Sequence, residues 1–125
     1  MSLRILLAAA LGAIVGYERR RADKPVGLRT LILISTGAAL FTVASVYAFD
    51  GGDPTRVAAG VVAGIGFLGA GVILRRRTGG IEGITTASVI WVVAAIGLAT
   101  GAGLYLIATV TTVVVMLVLL LLRHD

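Results

Sequence analysis

Five transmembrane α-helices packed into one compact, glycine-rich, all-α bundle is the fold class that this sequence predicts. Three observations carry that expectation. The 125 residues are 58% hydrophobic and only 14% charged, with a mean hydropathy of +1.06. A soluble domain runs at roughly 45–50% apolar and about 25% charged, and a chain this short still exposes about a third of its surface. The surplus apolar surface therefore needs lipid. Second, the charges fall in short clusters between long apolar runs. Third, the connecting segments are short, which forces successive helices to run antiparallel.

The elements follow in order. A spanning helix needs about 20 apolar residues, with a range of roughly 17–25. Residues 3–17 form a short first span with Arg4 near its start. This segment is similar in composition to a signal peptide, but it runs straight into Tyr17-Glu18-Arg19-Arg20-Arg21 with no clean cleavage site. A basic block after an apolar stretch anchors it, so a retained helix is expected. Residues 31–49 form an uncharged second span, and 57–74 a glycine-rich third. Residues 85–100 form a short fourth and 104–122 the most uniformly apolar fifth. The whole chain, 1–125, reads as a single transmembrane domain.

Orientation comes from the basic residues. Nine of the eleven lie in loop 18–30, in loop 75–84 and at Arg123, leaving only Arg4 and Arg56 for the other side. Lys and Arg accumulate in cytoplasmic loops. The N-terminus is therefore expected outside and the C-terminus in the cytoplasm. Arg75-Arg76-Arg77 reads as an anchor at anionic headgroups. The net charge of +5 belongs to this pattern and not to a nucleic-acid partner.

Several chemistries are excluded. The chain has no cysteine, and its one histidine, His124, is next to last. Thiolate and His-rich metal sites, disulfides and a Ser-His-Asp triad have no residues to build on. No Walker-type Lys is present. Gly64-x-Gly66-x-x-Gly69 matches the dinucleotide fingerprint formally, but the fingerprint needs a strand before it and a helix opening at the glycines. No enzyme activity and no cofactor are expected.

The same glycines make sense as helix faces. At about 100° per residue, Gly60, Gly64 and Gly71 fall on one side of the third helix, and Ala63, Gly66 and Ala70 on another. With Gly69 they would let helix backbones approach closely, which is how helices associate in lipid. A helix small on two faces is expected at the centre, with Gly12-x-x-x-Gly16 and Gly97-x-x-x-Gly101 as partner surfaces. On this reading Gly64→Leu disrupts the bundle.

The polar residues each have a bland and a sharp reading. Asp53-Pro54-Thr55-Arg56 reads as a helix start, with Asp capping free N–H groups. Asp50, Asp53 and Arg56 are also the charges at the outer mouth, where a cation would be met. Glu18 sits at the end of a short span, and an acid at membrane depth pairs with a base. Arg29, on the same side, is the expected partner. The pair serves either as an interfacial salt bridge or as a cation or proton site. Asp53 and Glu18 are thus the only candidates to meet a metal ion. Thr85-Thr86 reads as a hydroxyl cap on the fourth helix. Ser35, Thr36, Thr42 and Ser45 are expected to bond to backbone carbonyls, and Trp91 to pack.

Taken together, these stretches resemble a known family. They are Gly16-Tyr17-Glu18-Arg19, Gly27-Leu28-Arg29-Thr30, Gly37-Ala38-Ala39-Leu40-Phe41, Asp53-Pro54-Thr55-Arg56-Val57-Ala58-Ala59, and Gly64-Ile65-Gly66-Phe67-Leu68-Gly69-Ala70-Gly71. Gly83-Ile84-Thr85-Thr86-Ala87, Trp91, Ala94-Ala95-Ile96-Gly97 and Gly101-x-Gly103-x-Tyr105 complete the set. In order and spacing they resemble the membrane domain of the MgtC/SapB family from about residue 12 to 105. Arg20 stands where the family often has Glu, Val26 where it often has Ala, and Gly60 where it often has Gln. Many members also carry a soluble domain after the last span.

The resemblance implies a bacterial inner-membrane protein tied to growth at low magnesium and to survival inside host cells. It implies a modulator of membrane partners, the F-type ATP synthase among them. It brings no cofactor, and it points to Glu18, Arg29, Asp53, Arg56, Thr85 and Thr86. The alternative is an oligomeric magnesium, cation or proton transporter. In either case the bilayer is the surrounding medium and a homo-oligomer is expected.

Overall fold

The computed structural model describes residues 1–48, 52–75 and 81–122. Asp50, Arg76, Arg77, Arg123 and His124, which figure in the sequence reading, lie outside the described residues. Five helices form: α1 (Ser2–Arg21), α2 (Leu28–Tyr47), α3 (Thr55–Val72), α4 (Ile84–Gly101) and α5 (Tyr105–Leu121). Two-residue strands β1 (Leu74–Arg75) and β2 (Ile81–Glu82) pair antiparallel between α3 and α4.

The outside of the bundle is apolar. Phe67 is 81% exposed and Leu106 77%, both within helices, and a surface of that kind belongs in lipid. Three helices, α2, α3 and α4, are long and apolar enough to cross a membrane. The expected count of five is not reached on that measure, for physical reasons. At 17 residues, α5 is apolar but about 26 Å long, short of the roughly 30 Å hydrocarbon core. Helix α1 carries Arg4 at one end and Glu18, Arg19, Arg20 and Arg21 at the other.

Helix α1 also runs four residues past its expected end. Charge does not stop a helix; a terminator does. The chain turns only where Asp23 takes a left-handed conformation at φ 58°. The Lys24 N–H then bonds to the Arg19 carbonyl at 3.0 Å and the Asp23 N–H to the Arg20 carbonyl at 3.1 Å. This pairing closes a helix C-terminus. Pro25 follows, and Val26 folds back to bury itself beside Val15, Leu31, Ile90 and Val93.

Helix α4, and not α3, is the centre of the bundle. It packs on α1, α2, α3 and α5. Helix α3 packs chiefly on α4 and only lightly on α2. The inward stripe of α3 runs through Ala58, Val61, Ile65, Gly69 and Val72, and Gly69 alone is buried. Both of its predicted small faces point away: a Cβ placed at Gly60, Gly64, Gly66 or Gly71 would have nothing within 4 Å. The expectation of a central glycine helix is therefore overturned.

The close approaches are made by the other two glycine pairs, both against α2. A Cβ at Gly12 would stand 2.8 Å from the Leu31 carbonyl oxygen, and one at Gly16 2.7 Å from the Leu28 Cα. A Cβ at Gly101 would stand 2.6 Å from the Ala39 carbonyl oxygen, and one at Gly97 would strike the Ser35 carbonyl. Helix α2 is thus clasped between α1 and α4. The Ser35 hydroxyl, fully buried, donates to the Ala8 carbonyl across the α1–α2 seam at 2.8 Å.

Candidate functional site

Helix direction sorts the polar residues into two ends. At one end lie the C-terminus of α1, the N-terminus of α4 and the C-terminus of α5. Glu18 and Arg19 emerge there from the last turn of α1, 4% and 3% exposed. They are buried because they continue the inward stripe of Ala8, Leu11, Gly12 and Val15 by one more turn. Arg19 Nη1 lies 3.9 Å from Glu18 Oε2, and Arg19 Nη2 donates to the Thr86 hydroxyl at 3.2 Å. Thr86 is itself 5% exposed. A buried acid, a buried base and a buried hydroxyl from α1 and α4 therefore meet.

A basin of about 180 Å³ opens over this group. Glu18, Arg19, Lys24 and Thr85 form its polar side. Val118, Leu119 and Leu122 of α5 form its apolar side. Lys24 is placed there by the turn that ends α1.

The expected Glu18–Arg29 pair does not form. Arg29 is exposed on the first turn of α2, and Glu18 has Arg19 beside it instead. Sequence reasoning missed Arg19 because neighbours at i and i+1 do not ordinarily face each other on a helix. The available signal was the stripe itself, since position 19 follows 8, 12 and 15 at helical spacing. Thr85 and Thr86 do not cap α4 either. Gly83 stands at the cap, at φ 94°, and no side chain caps the helix. Only glycine fits there, because a Cβ would collide with the Val72 carbonyl. The Thr86 hydroxyl is turned to Arg19 instead.

The other end holds two separate arrangements. Arg4 donates from Nε to the Tyr105 hydroxyl at 2.9 Å and from Nη1 to the Gly101 carbonyl at 3.1 Å. It also lies over the Tyr47 ring, 5.1 Å from its centre. One guanidinium thus ties α1, α2, α4 and α5 together, a role that the sequence did not suggest. Asp53 stands apart from that group and works locally. Its Oδ1 accepts the Thr55 hydroxyl at 2.7 Å and the Thr55 N–H at 3.0 Å. Arg56 is exposed, and its N–H bonds to the Asp53 carbonyl at 3.1 Å. Asp53, before α3, and Glu18, at the end of α1, lie at opposite ends of the bundle.

The Thr55 hydroxyl, followed by the Thr55 N–H, holds the Asp53 carboxyl below the usual carboxylate range. The sign follows directly. A depressed folded-state value means that the Asp53–Thr55 interaction contributes stability above the unfolded value of about 3.9, which is lost as pH falls through the lower folded value. Pro54, and not Asp53, stands at the N-cap of α3, and no side chain caps the helix. Amide exchange in the first turn of α3, corrected for intrinsic rate, should stay slow down to pH 4 and quicken below it. In Asp53→Ala it should be fast at every pH.

The intramembrane hydroxyls mostly bond within their own helices. Thr42, Thr100 and Thr112 donate to the carbonyls of Ala38, Ile96 and Ala108 at 2.7–2.9 Å. Thr36 finds no partner for its hydroxyl among the described residues. Trp91 is 58% exposed on α4 and faces the lipid, contrary to the packing role expected of it. Among the described residues no group of three or more His, Asp or Glu stands together to hold a metal ion.

Comparison with known proteins places this arrangement. The sequence model of the MgtC family matches residues 5–124. The "Putative magnesium transporter YhiD" of Escherichia coli K12 is 46% identical over 125 residues, covering 94% of this chain and 58% of that protein. The protein MgtC of Brucella abortus is 45% identical, covering 93% of this chain and 48% of that protein. The protein SapB of Bacillus subtilis is 41% identical, covering 82% and 48%. The chain spans about half the length of these relatives. No solved structure matches it.

Proposed function

The chain belongs to the MgtC family, and from that premise we propose that it is a multi-pass protein of the bacterial inner membrane that modulates membrane partners when magnesium is scarce. It works through helix contacts, without catalysis and without a cofactor. All five helices cross the bilayer, α1 and α5 with help from their neighbours. The basic end, with Arg19, Lys24 and Arg29, lies in the cytoplasm, as the distribution of Lys and Arg favours.

The observation that carries this reading is the outward glycine face of α3. Small residues on a lipid-facing helix are what a second helix packs against, and Gly60, Gly64, Gly66 and Gly71 have nothing against them. Beside them, α2 and α3 leave an apolar groove of about 350 Å³, floored by Gly37, Gly64 and Ala94. Membrane partners such as the F-type ATP synthase, or a second copy of the chain, would use this face. The name of the Escherichia coli relative supports the link to magnesium.

Carriage of a divalent cation fits the geometry less well. Arg19 sets a positive charge 3.9 Å from Glu18, which opposes a second cation there. The Thr55 hydroxyl and N–H already engage the Asp53 oxygen. The test is flux into liposomes loaded with a magnesium-sensitive dye under an imposed membrane potential. Wild type, Asp53→Asn and Glu18→Gln should all match empty liposomes. Flux in wild type that both variants abolish would replace this reading with a transporter.

A further inference from the structure

Arg4, at the end of the bundle away from Glu18, has donors to spare. A guanidinium carries five N–H groups. Arg4 gives one from Nε to the Tyr105 hydroxyl and one from Nη1 to the Gly101 carbonyl, which leaves three, both of those on Nη2 among them. Its Cζ also stands over the rings of Tyr47 and Tyr105, 5.1 and 6.0 Å from their centres. The group is thus fixed from α2, α4 and α5. It is half-buried, and among the described residues it has no ion pair. A fixed, half-buried positive charge with unspent donors and no counter-ion calls for an anion.

Two further features favour an anion at this place. Helix α5 opens beside Arg4 with no acidic residue in its first turn and no side-chain cap. Its free N–H groups and helix dipole add positive potential. Gly103 is the second feature. A Cβ there would stand 3.2 Å from Arg4 Nη2, so the bare glycine leaves the flank of that donor pair clear. The surroundings are hydrocarbon: Leu3, Val46 and Leu104, each next in sequence to a member of the group, are exposed.

We propose that the Arg4 group binds one anionic phospholipid through its phosphodiester, phosphatidylglycerol being the simplest case. The phosphodiester oxygens accept from Arg4 Nη1 and Nη2. They also accept from the Tyr105 hydroxyl, which keeps its own proton while its oxygen accepts from Nε. The acyl chains lie against the exposed leucines. An anionic headgroup is preferred to one with an ammonium, because the ammonium would bring a second positive charge to Arg4. The bound lipid neutralises the charge on which α1, α2, α4 and α5 converge. The proposal rests on the reading that α1 and α5 cross the bilayer, which sets this end at a headgroup layer. It does not involve the α3 face.

Native mass spectrometry of the full chain in detergent tests this, with phosphatidylglycerol, phosphatidylethanolamine and inorganic phosphate as probes. Wild type should retain one phosphatidylglycerol about tenfold more tightly than phosphatidylethanolamine, equivalent to about 1.4 kcal/mol. Arg4→Gln should erase that preference. Two milder variants carry the test if this one does not fold. Arg4→Lys keeps the charge without the planar fork, and Tyr105→Phe keeps the ring without the hydroxyl. Each should lower the preference several-fold. Arg20→Gln, the same loss of charge at an exposed position of the opposite end, should leave it intact. Equal retention of the two lipids by wild type would overturn the proposal. So would a preference that Arg4→Lys and Tyr105→Phe both leave unchanged, or one that Arg20→Gln lowers as far as they do. Displacement of the lipid by millimolar inorganic phosphate would replace it with a soluble anion site. Cysteine labelling in sealed vesicles judges the crossing of α1 separately. The chain has no cysteine of its own, and Ser2→Cys and Arg20→Cys should react from opposite faces. Opposite faces with equal lipid retention would refute the lipid site alone, whereas reaction from one face would refute the crossing and the site together.

Discussion

Gly97→Ala should destabilise the bundle by about 3 kcal/mol, the upper part of the range for overpacking a filled interior. The new methyl would meet backbone on α2: the Ser35 carbonyl, with the Ser35 Cα 2.9 Å away. Backbone cannot rotate aside as a side-chain tip can. To make room, α4 must leave α2, and α4 is the helix on which all the others pack. The companion measurement is Gly60→Ala on α3, where a Cβ meets nothing. Alanine there should be neutral or should stabilise the helix by about 0.5–1 kcal/mol. Reversible unfolding in detergent checks both. Equal losses at 97 and 60 would show that α3 is packed by something within the bundle. The same logic reverses the forecast for Gly64→Leu, which should leave the isolated chain stable and act only on what α3 binds.

Removing Arg19 is the second large effect. Arg19→Ala leaves Glu18 buried without its positive neighbour and Thr86 without its donor, which should cost about 3–5 kcal/mol. Glu18→Gln should cost less, because the amide keeps the shape and can still accept a hydrogen bond. In a double-mutant cycle the pair should couple by about 1–3 kcal/mol, so the double variant is better than the sum of the singles. Glu18 and Arg29, by contrast, should be additive within about 0.5 kcal/mol. Coupling between 18 and 29 would restore the pairing that the sequence suggested and would place the loop differently from what is described above.

The number of helices and their rough limits were legible because apolar runs and charge clusters are coarse signals that survive any packing arrangement. The ends were less legible. At α1 the sequence reading stopped where the charges began, at Glu18, whereas the helix ends at Arg21, where Asp23 and Pro25 turn the chain away. Periodicity also identified the small faces of α3 correctly but not which way they point. A face of glycine and alanine suits a neighbouring helix wherever that helix comes from, and only the packing of α3 on α4 decides it. The partner of Glu18 was hidden for a different reason. Loop residues on the same membrane side look like natural partners, while Arg19, one residue on, looks like solvent-facing charge until the burial of its stripe is known. Thr86 followed the same course: a hydroxyl near a helix start reads as a cap, and here a positive-φ glycine takes that position.

The joint between α3 and α4 has a thermodynamic consequence. Leu74 pairs with Glu82 and Arg75 with Ile81, and Gly83 presses its backbone against the Val72 carbonyl. The exit of one helix is thereby fixed to the entrance of the next. A surface held in this way gives up little freedom when something settles on it, because its conformational entropy was surrendered on folding. Association at α3 should therefore show a small entropic penalty for its area. Cutting the ladder should weaken it by enlarging what must be ordered, with every contacting side chain still in place.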